Sequence, residues 1–243
     1  MRNIFYRAIP ILLMLLFLVG CSQSATQTPE VQNVREDLNP LQLQLPSSGD
    51  PIVVIETELG VIKFVLFEKL SPQGVDILKG YADSSYYSNG SFDRIEPGTA
   101  IQIDYKSTFP DDMDDADKTY YPLEKSPELK HIKGAVSLIY QVGEFVSPSL
   151  AFIVGGDVSQ EEIDLMKYLG EESYSKEIIE VYQKEGGMPS LDGRFTIIGQ
   201  VYEGFEVIEA INQLPVKESN DNKQHHVPLE PIPIKKMSIQ IYE

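Results

Sequence analysis

Apolar and polar positions divide the chain into an apolar leader, a polar stretch, and a long segment of short alternating runs. The long segment opens with Pro51-Ile-Val-Val-Ile-Glu and Val61-Ile-Lys-Phe-Val-Leu-Phe, two β-rich runs about Glu58-Leu59-Gly60, which predicts a hairpin. From Pro72 to Tyr81 the period becomes helical. Val75, Leu78 and Ala82 fall at i, i+3 and i+7, with Ser71 as cap and Pro72 in the first turn. Further strands are predicted around Phe92–Ile95, Ala100–Tyr105, Ala135–Tyr140, Ala151–Val154, Phe195–Tyr202 and Lys236–Tyr242. Glu161–Tyr168, Tyr174–Glu185 and Phe205–Leu214 have helical spacing, the last with Val207, Ile208 and Ile211 on one side. Many short strands with few helices, not in strict alternation, predict a mainly β domain: a barrel or sandwich with capping helices.

The leader has Arg2 and Arg7 ahead of an apolar run, Ala8 to Gly20, that closes on Leu18-Val19-Gly20-Cys21. A basic start, a short apolar stretch and small residues at a cleavage point form a secretory signal, and the run is too short for a membrane span of about 20 residues. Its end resembles the bacterial lipoprotein signal Leu-x-Gly-Cys, which implies that Cys21 is acylated and becomes the mature first residue. Acyl chains on Cys21 would anchor the protein, since each buried methylene contributes about 0.8 kcal/mol. The expected organisation is residues 1–20 as signal, 21–49 as lipidated Cys and tether, and 50–243 as the domain. Ser22-Gln-Ser-Ala-Thr-Gln-Thr-Pro suits a tether, whereas the alternation Leu41/Leu43/Leu45 leaves open a strand laid on the domain surface.

Composition narrows the possible partners. The 243 residues carry 20 Lys plus Arg against 37 Asp plus Glu, a formal net charge of -17. That field repels phosphate backbones and anionic head groups, which excludes charge-driven nucleic-acid binding. Removing the leader deletes Arg2 and Arg7 and makes the mature chain still more acidic. With 1 Cys there is no intrachain disulfide and no Cys-rich zinc site, and 3 His offer little to a histidine-based metal site. No metal site is expected. Phe109–Asp117 is acidic but lacks the Asp-x-Asp-x-Asp-Gly spacing of a calcium loop, and His225-His226 lies in a polar loop.

Five blocks, in order, resemble the cyclophilin-type peptidyl-prolyl isomerases. The opening hairpin is similar to the family's Thr-x-x-Gly-x-Ile. Ser71-Pro72-Gln-Gly-Val75 is similar to its Ala-Pro-x-Thr-Val helix start. Tyr86-Tyr87-Ser-Asn-Gly90-Ser-Phe92-Asp93-Arg94-Ile95 resembles Tyr-Tyr-x-Gly-x-x-Phe-His-Arg-Val with a shifted Gly. Leu129-Lys-His131-Ile-Lys-Gly134-Ala-Val-Ser137 resembles Glu-x-x-His-x-x-Gly-x-Leu-Ser. Leu191-Asp192-Gly193-Arg-Phe195 through Val207 resembles Leu-Asp-Gly-x-His-x-x-Phe-Gly-x-Val-x-x-Gly-x-x-Val. The resemblance runs from about residue 50 to 243 and implies a closed eight-stranded antiparallel barrel with capping helices. A helical insertion at about 156–188, ending Gly186-Gly187-Met188-Pro189, looks like the variant in lipid-anchored cyclophilins of Gram-positive bacteria.

The chemistry implied is rotation about an Xaa-Pro bond, whose barrier is about 18–20 kcal/mol. No bond breaks, so no nucleophile, metal or cofactor is called for. Loss of amide resonance makes the proline nitrogen basic, and a fixed guanidinium donating to it stabilises the twisted state over the planar one. By the resemblance, Arg94 stands at the catalytic Arg, Gln102 at the substrate-binding Gln, Phe152 at the second Phe of Ser-Gln-Phe-Phe, and Leu191 at the Leu of Leu-Asp-Gly. Thr99 and Ala100 replace the pocket's Phe and Met, and Phe195 replaces the His of Leu-Asp-Gly-x-His. Leu150 and Ala151 replace the Gln and first Phe of Ser-Gln-Phe-Phe, Ser190 takes the usual Trp or His position, and Asp93 precedes Arg94 in place of His. The Gly-Gly after Gln102 is absent.

The expected protein is an extracytoplasmic, lipid-anchored isomerase acting on Xaa-Pro bonds of secreted or surface polypeptides, weak or retuned, and assisting folding. It would touch the membrane through its anchor alone. Its competitor is a binding module or chaperone that uses the same groove without turnover. A purely structural surface lipoprotein is a third reading.

Overall fold

The computed structural model describes residues 40–83, 86–103, 121–140, 145–217 and 226–243. Ten strands form one antiparallel sheet: β1 (Pro51–Glu56), β2 (Val61–Leu66), β3 (Ser91–Glu96), β4 (Ala100–Ile103), β5 (Tyr121–Pro122), β6 (Ala135–Tyr140), β7 (Phe145–Ile153), β8 (Thr196–Glu203), β9 (Ile232–Pro233) and β10 (Lys236–Ile241). Their order is β10-β1-β2-β8-β6-β7-β4-β3-β9, with β5 added on β7. The ladder is open between β9 and β10. Those two strands are joined by Ile234 and Lys235, whose amides donate to Gly90 O at 3.0 Å and Glu56 O at 2.8 Å. The chain itself therefore bridges the gap, and the sheet curls round its apolar face. β5 and β9 are two-residue strands; the longer strands are those of the expected barrel.

The β1–β2 hairpin forms where the pattern places it, with Ile55 opposite Ile62 and Val53 opposite Phe64. Thr57 ties the turn: its hydroxyl donates to Gly60 O at 2.9 Å and accepts from Leu59 N at 3.1 Å. Helix α1 (Pro72–Asp83) begins at Pro72 as expected. The hydroxyl of Ser71 does not cap it; it donates to Ile197 O at 2.6 Å, fastening α1 to β8. Gly74 allows the close approach, since a Cβ there would lie 2.7 Å from both Ile198 Cγ2 and Thr196 Cγ2. Val53, Phe64, Leu78, Phe92, Ile95, Ile101, Val136, Phe152 and Ile198 are among the side chains sealed inside the curl.

Helices α2 (Gln160–Leu169) and α3 (Lys176–Glu185) form the insertion, and α4 (Phe205–Asn212) follows β8. Ser159 and Glu162 make a capping box at the start of α2, and Ser175 caps α3. Ile163, Met166, Ile178, Ile179, Val181 and Tyr182 pack with Ile132 and with Leu43, a residue expected in the tether. Residues 40–49 in fact belong to the packed domain. Leu41–Leu43 is a 3-10 turn, not a strand. Gln42 is buried, accepts from Lys130 N at 2.7 Å, and donates to Lys130 O at 2.9 Å and Gln200 Oε1 at 3.2 Å. Pairing both halves of one amide leaves little desolvation cost at that point. The remainder of the tether, Cys21, the acidic loop and His225 lie outside the described residues.

Candidate active site

The outer face of β3, β4 and β7 carries the candidate chemistry, and a bulge decides which side chains reach it. Phe92 pairs with Ile103 and Arg94 with Gln102, so Asp93 is an extra residue in β3. Phe92 can then point into the core while Arg94, two positions on, points out. Directly opposed residues share a face. Arg94, Gln102, Ala151 and Ser137 therefore form one row across β3, β4, β7 and β6. Glu96, Ala100 and Ile153 form the next row. The intervening residues Ile95, Ile101, Phe152 and Val136 face the core and are fully buried.

Beside the second row lies a small apolar cluster. Ala100, Ala135 and Ile153 are buried, and Met188 and Leu191 pack against them half-buried. The β3–β4 turn under this cluster is clamped from α4. The buried Asn212 side chain donates to Glu96 O at 2.9 Å and Ala100 O at 3.0 Å, and accepts from Gly98 N at 2.7 Å. The Thr99 carbonyl accepts from Val154 N at 2.8 Å, which joins the turn to the end of β7.

Arg94 is held along its own strand. Its Nε lies 2.7 Å, and one terminal nitrogen 2.6 Å, from Glu96 Oε1. Glu96 Oε2 lies 2.5 Å from His226 Nδ1. Gln102 Oε1 and Ser137 Oγ are buried and make no hydrogen bond among the described residues.

Asp192 fixes the wall opposite. Its Oδ1 accepts from His131 N at 2.7 Å and lies 2.9 Å from His131 Nδ1. Its Oδ2 accepts from the hydroxyls of Tyr182 at 2.8 Å and Tyr174 at 3.0 Å. Burial and the Asp192 charge raise the pKa of both tyrosines, so both hydroxyls stay donors. Burial lowers Lys130, with Asp192 opposing, and its ammonium lies 4.8 Å from the centre of the Tyr174 ring. The turn that Asp192 anchors displays Leu191 and Phe195, whose ring meets the fully buried His131 edge-on at 5.9 Å. Met188 N donates to His131 O at 2.8 Å, so the insertion returns directly into the apolar cluster.

The chain matches the family described as cyclophilin type peptidyl-prolyl cis-trans isomerase/CLD over residues 52–239. It belongs to the cyclophilin family. A provisionally named peptidyl-prolyl cis-trans isomerase of Staphylococcus saprophyticus is 26% identical over 203 residues, covering 79% of this chain and 96% of the relative. A provisionally named bifunctional phosphatase/peptidyl-prolyl cis-trans isomerase of Streptococcus pyogenes is 29% identical over 193 residues, 75% of this chain and 38% of that protein. Among solved structures, a cyclophilin-type isomerase of Cryptosporidium parvum superposes with a TM-score of 0.57 at 21% identity, over 80% of this chain and 99% of that one. A crystal of that protein in the presence of the dipeptide Ala-Pro gives 0.55 at 21% identity, over 79% and 99%. These neighbours share the cyclophilin fold.

Arg94 and Gln102 share one row of the outer face, and Ala100 and Leu191 belong to the adjoining cluster. Thr99 lies in the clamped turn, and Phe195 stands beside His131 rather than in the cluster. Phe152 is a correction. It is fully buried in the core, with its ring 5.8 Å from those of both Phe64 and Phe92, and cannot wall a groove on the other face of β7. Ile153, the next residue, lies on the outer face with Ala100 and Glu96. A slip of one residue reverses every face in a strand. Sequence reasoning also missed Met188, Glu96 and Asn212. Glu96 sits two residues after Arg94 and shares its face by alternation alone, a signal present in the chain. Met188 arrives from a different element and carries no local signal.

Proposed function

We propose that this cyclophilin-fold domain catalyses cis-trans isomerisation of Xaa-Pro bonds in polypeptides. The observation that carries the reading is the pairing of Arg94 with Gln102 on one face of β3–β4, one row from the apolar cluster of Ala100, Ile153, Met188 and Leu191. The half-buried Met188 and Leu191, backed by Ala100 and Ile153, would meet the proline ring, and the Gln102 side chain would face the flanking peptide. The Arg94 guanidinium would donate to the proline nitrogen as amide resonance is lost. That contact strengthens only as the bond twists, which is the condition for lowering the barrier. The small side chains at Thr99, Ala100 and Ala151 make the site shallower than the family's, and turnover weak. Those same side chains favour the second reading, a groove that binds Xaa-Pro segments without turning them over.

The leader that ends at Cys21 supports an extracytoplasmic, lipid-anchored protein whose clients are secreted or surface polypeptides and whose task is to assist their folding. Proline-isomer exchange in an Ala-Xaa-Pro-Phe peptide, followed by NMR with and without the protein, tests the activity. Exchange should accelerate with wild type and drop to near background with Arg94→Ala. Arg94→Lys should fail as well, because a point charge on a flexible stem lacks the planar fork. Peptide binding without any acceleration would leave the binding module as the function.

A further inference from the structure

The Arg94–Glu96 pair spans two rows of the groove, and its direction matters. Arg94 stands in the row of Gln102, whereas Glu96 stands in the row of Ala100 and Ile153, beside the apolar cluster. Nε and one terminal nitrogen of Arg94 both converge on a single oxygen, Glu96 Oε1, at 2.7 and 2.6 Å. The two contacts tie the guanidinium to a carboxylate rooted in the next row. The guanidinium plane is set by a two-pronged contact. Glu96 is fixed at its backbone, whose carbonyl accepts from Asn212 at 2.9 Å, and its second carboxylate oxygen lies 2.5 Å from His226 Nδ1. Side-chain exposure of 21% for Arg94 and 27% for Glu96 leaves the pair partly open to solvent.

We propose that Glu96 is a positioning residue for isomerisation. It aims the Arg94 guanidinium at the site where a proline nitrogen would sit above the Ala100–Ile153–Met188 cluster. The inference rests on the isomerase reading and adds to it a residue that does not touch the reacting bond. A carboxylate next to a catalytic cation would otherwise only neutralise it. What separates aiming from neutralisation is reach against charge. Glu96→Gln keeps the side-chain length and an acceptor oxygen but removes the charge. Glu96→Asp keeps the charge but withdraws the carboxylate by about 1.5 Å, one carbon–carbon bond.

The test measures kcat and KM for an Xaa-Pro peptide with wild type, Arg94→Ala, Glu96→Gln, Glu96→Asp and Glu96→Ala, each shown by circular dichroism and NMR to be folded. The expected result is a fall in kcat of about tenfold or more for Glu96→Ala and Glu96→Asp, with KM little changed, and near wild-type kcat for Glu96→Gln. Misaim of about 1 Å suffices for losses of that size. If Glu96→Asp retains activity and Glu96→Gln does not, the residue tunes charge and the positioning role is overturned. Activity in Glu96→Ala equal to or above wild type overturns it too. Failure of the isomerase reading looks different: wild type and Arg94→Ala would then both leave exchange at background, whatever stands at position 96.

Discussion

At the scale of single residues, the two sides of β7 separate stability from binding. Phe152 lies among Phe64 and Phe92 in the sealed core, whereas Ile153 is buried on the other face of β7 beneath the half-buried Met188 and Leu191. Phe152→Leu removes ring contacts inside a close-packed interior and should lower the urea midpoint, while KM for an Xaa-Pro peptide stays unchanged. Leu191→Ala, at a half-buried side chain on the outer face, should cost less than the about 2–5 kcal/mol of a buried Leu yet raise KM by a few-fold, because that side chain would meet the proline ring. Equal KM effects from both variants would mean that the face assignment is wrong. The candidate cation was legible in the chain: an Arg inside Phe92-Asp93-Arg94-Ile95 demands a partner or a ligand. Glu96, two residues on, is one of its partners, and strand alternation puts it on the same face.

At the scale of elements, the chain leaving the insertion supplies part of the apolar cluster. The α3 helix and the loop before it deliver Tyr182 and Tyr174 to Asp192, and the chain leaving α3 delivers Met188 to Ala100 and Ile153. The short side chain at Ala100 therefore does not leave a hole. Ala100→Met alone should overpack the cluster and cost about 1–3 kcal/mol, visible as a lower urea midpoint. Adding Met188→Ala exchanges the volumes and should bring the cost below about 1.5 kcal/mol. If the single variant is as stable as wild type, Met188 does not fill that space. The tyrosines predict a pH response in the same region. Burial, with neighbouring charge or hydroxyl partners, raises Tyr81, Tyr174 and Tyr182, and burial with Glu203 and Tyr242 raises Tyr202 to about 12. Above about pH 10 the unfolded chain has lost tyrosine protons that the folded protein still binds, so stability falls as pH rises. Lys130, lowered by burial, acts with the opposite sign just below its ordinary value, and is one group against four. Urea midpoints at about pH 9 and about pH 11 should show the decrease, and Tyr174→Phe with Tyr182→Phe should reduce it.

At the scale of the whole molecule, an acidic domain is joined to a leader that ends in the chain's 1 Cys. Cys21→Ser should move the protein from the membrane fraction to the soluble one, since acyl chains supply the anchoring methylenes in the lipoprotein reading. Retention of the variant in membranes after a high-salt wash would count against that anchor. The domain's architecture was largely readable from local periodicity. The β1–β2 hairpin, β6, β8, β10 and the insertion helices fall within a few residues of their expected places, because alternation and 3.6-residue spacing are properties of neighbouring positions. The closure of the curl by Ile234–Lys235, the docking of Gln42 on Lys130 and Gln200, and the arrival of Met188 at Ala100 join residues far apart in the chain. No window of sequence contains both members of such a contact. The inward direction of Phe152 has a different cause. Side-chain direction in a strand has a period of two, so a motif aligned one residue off keeps every strand and reverses every face, and the ladder register settled by packing decides between the two.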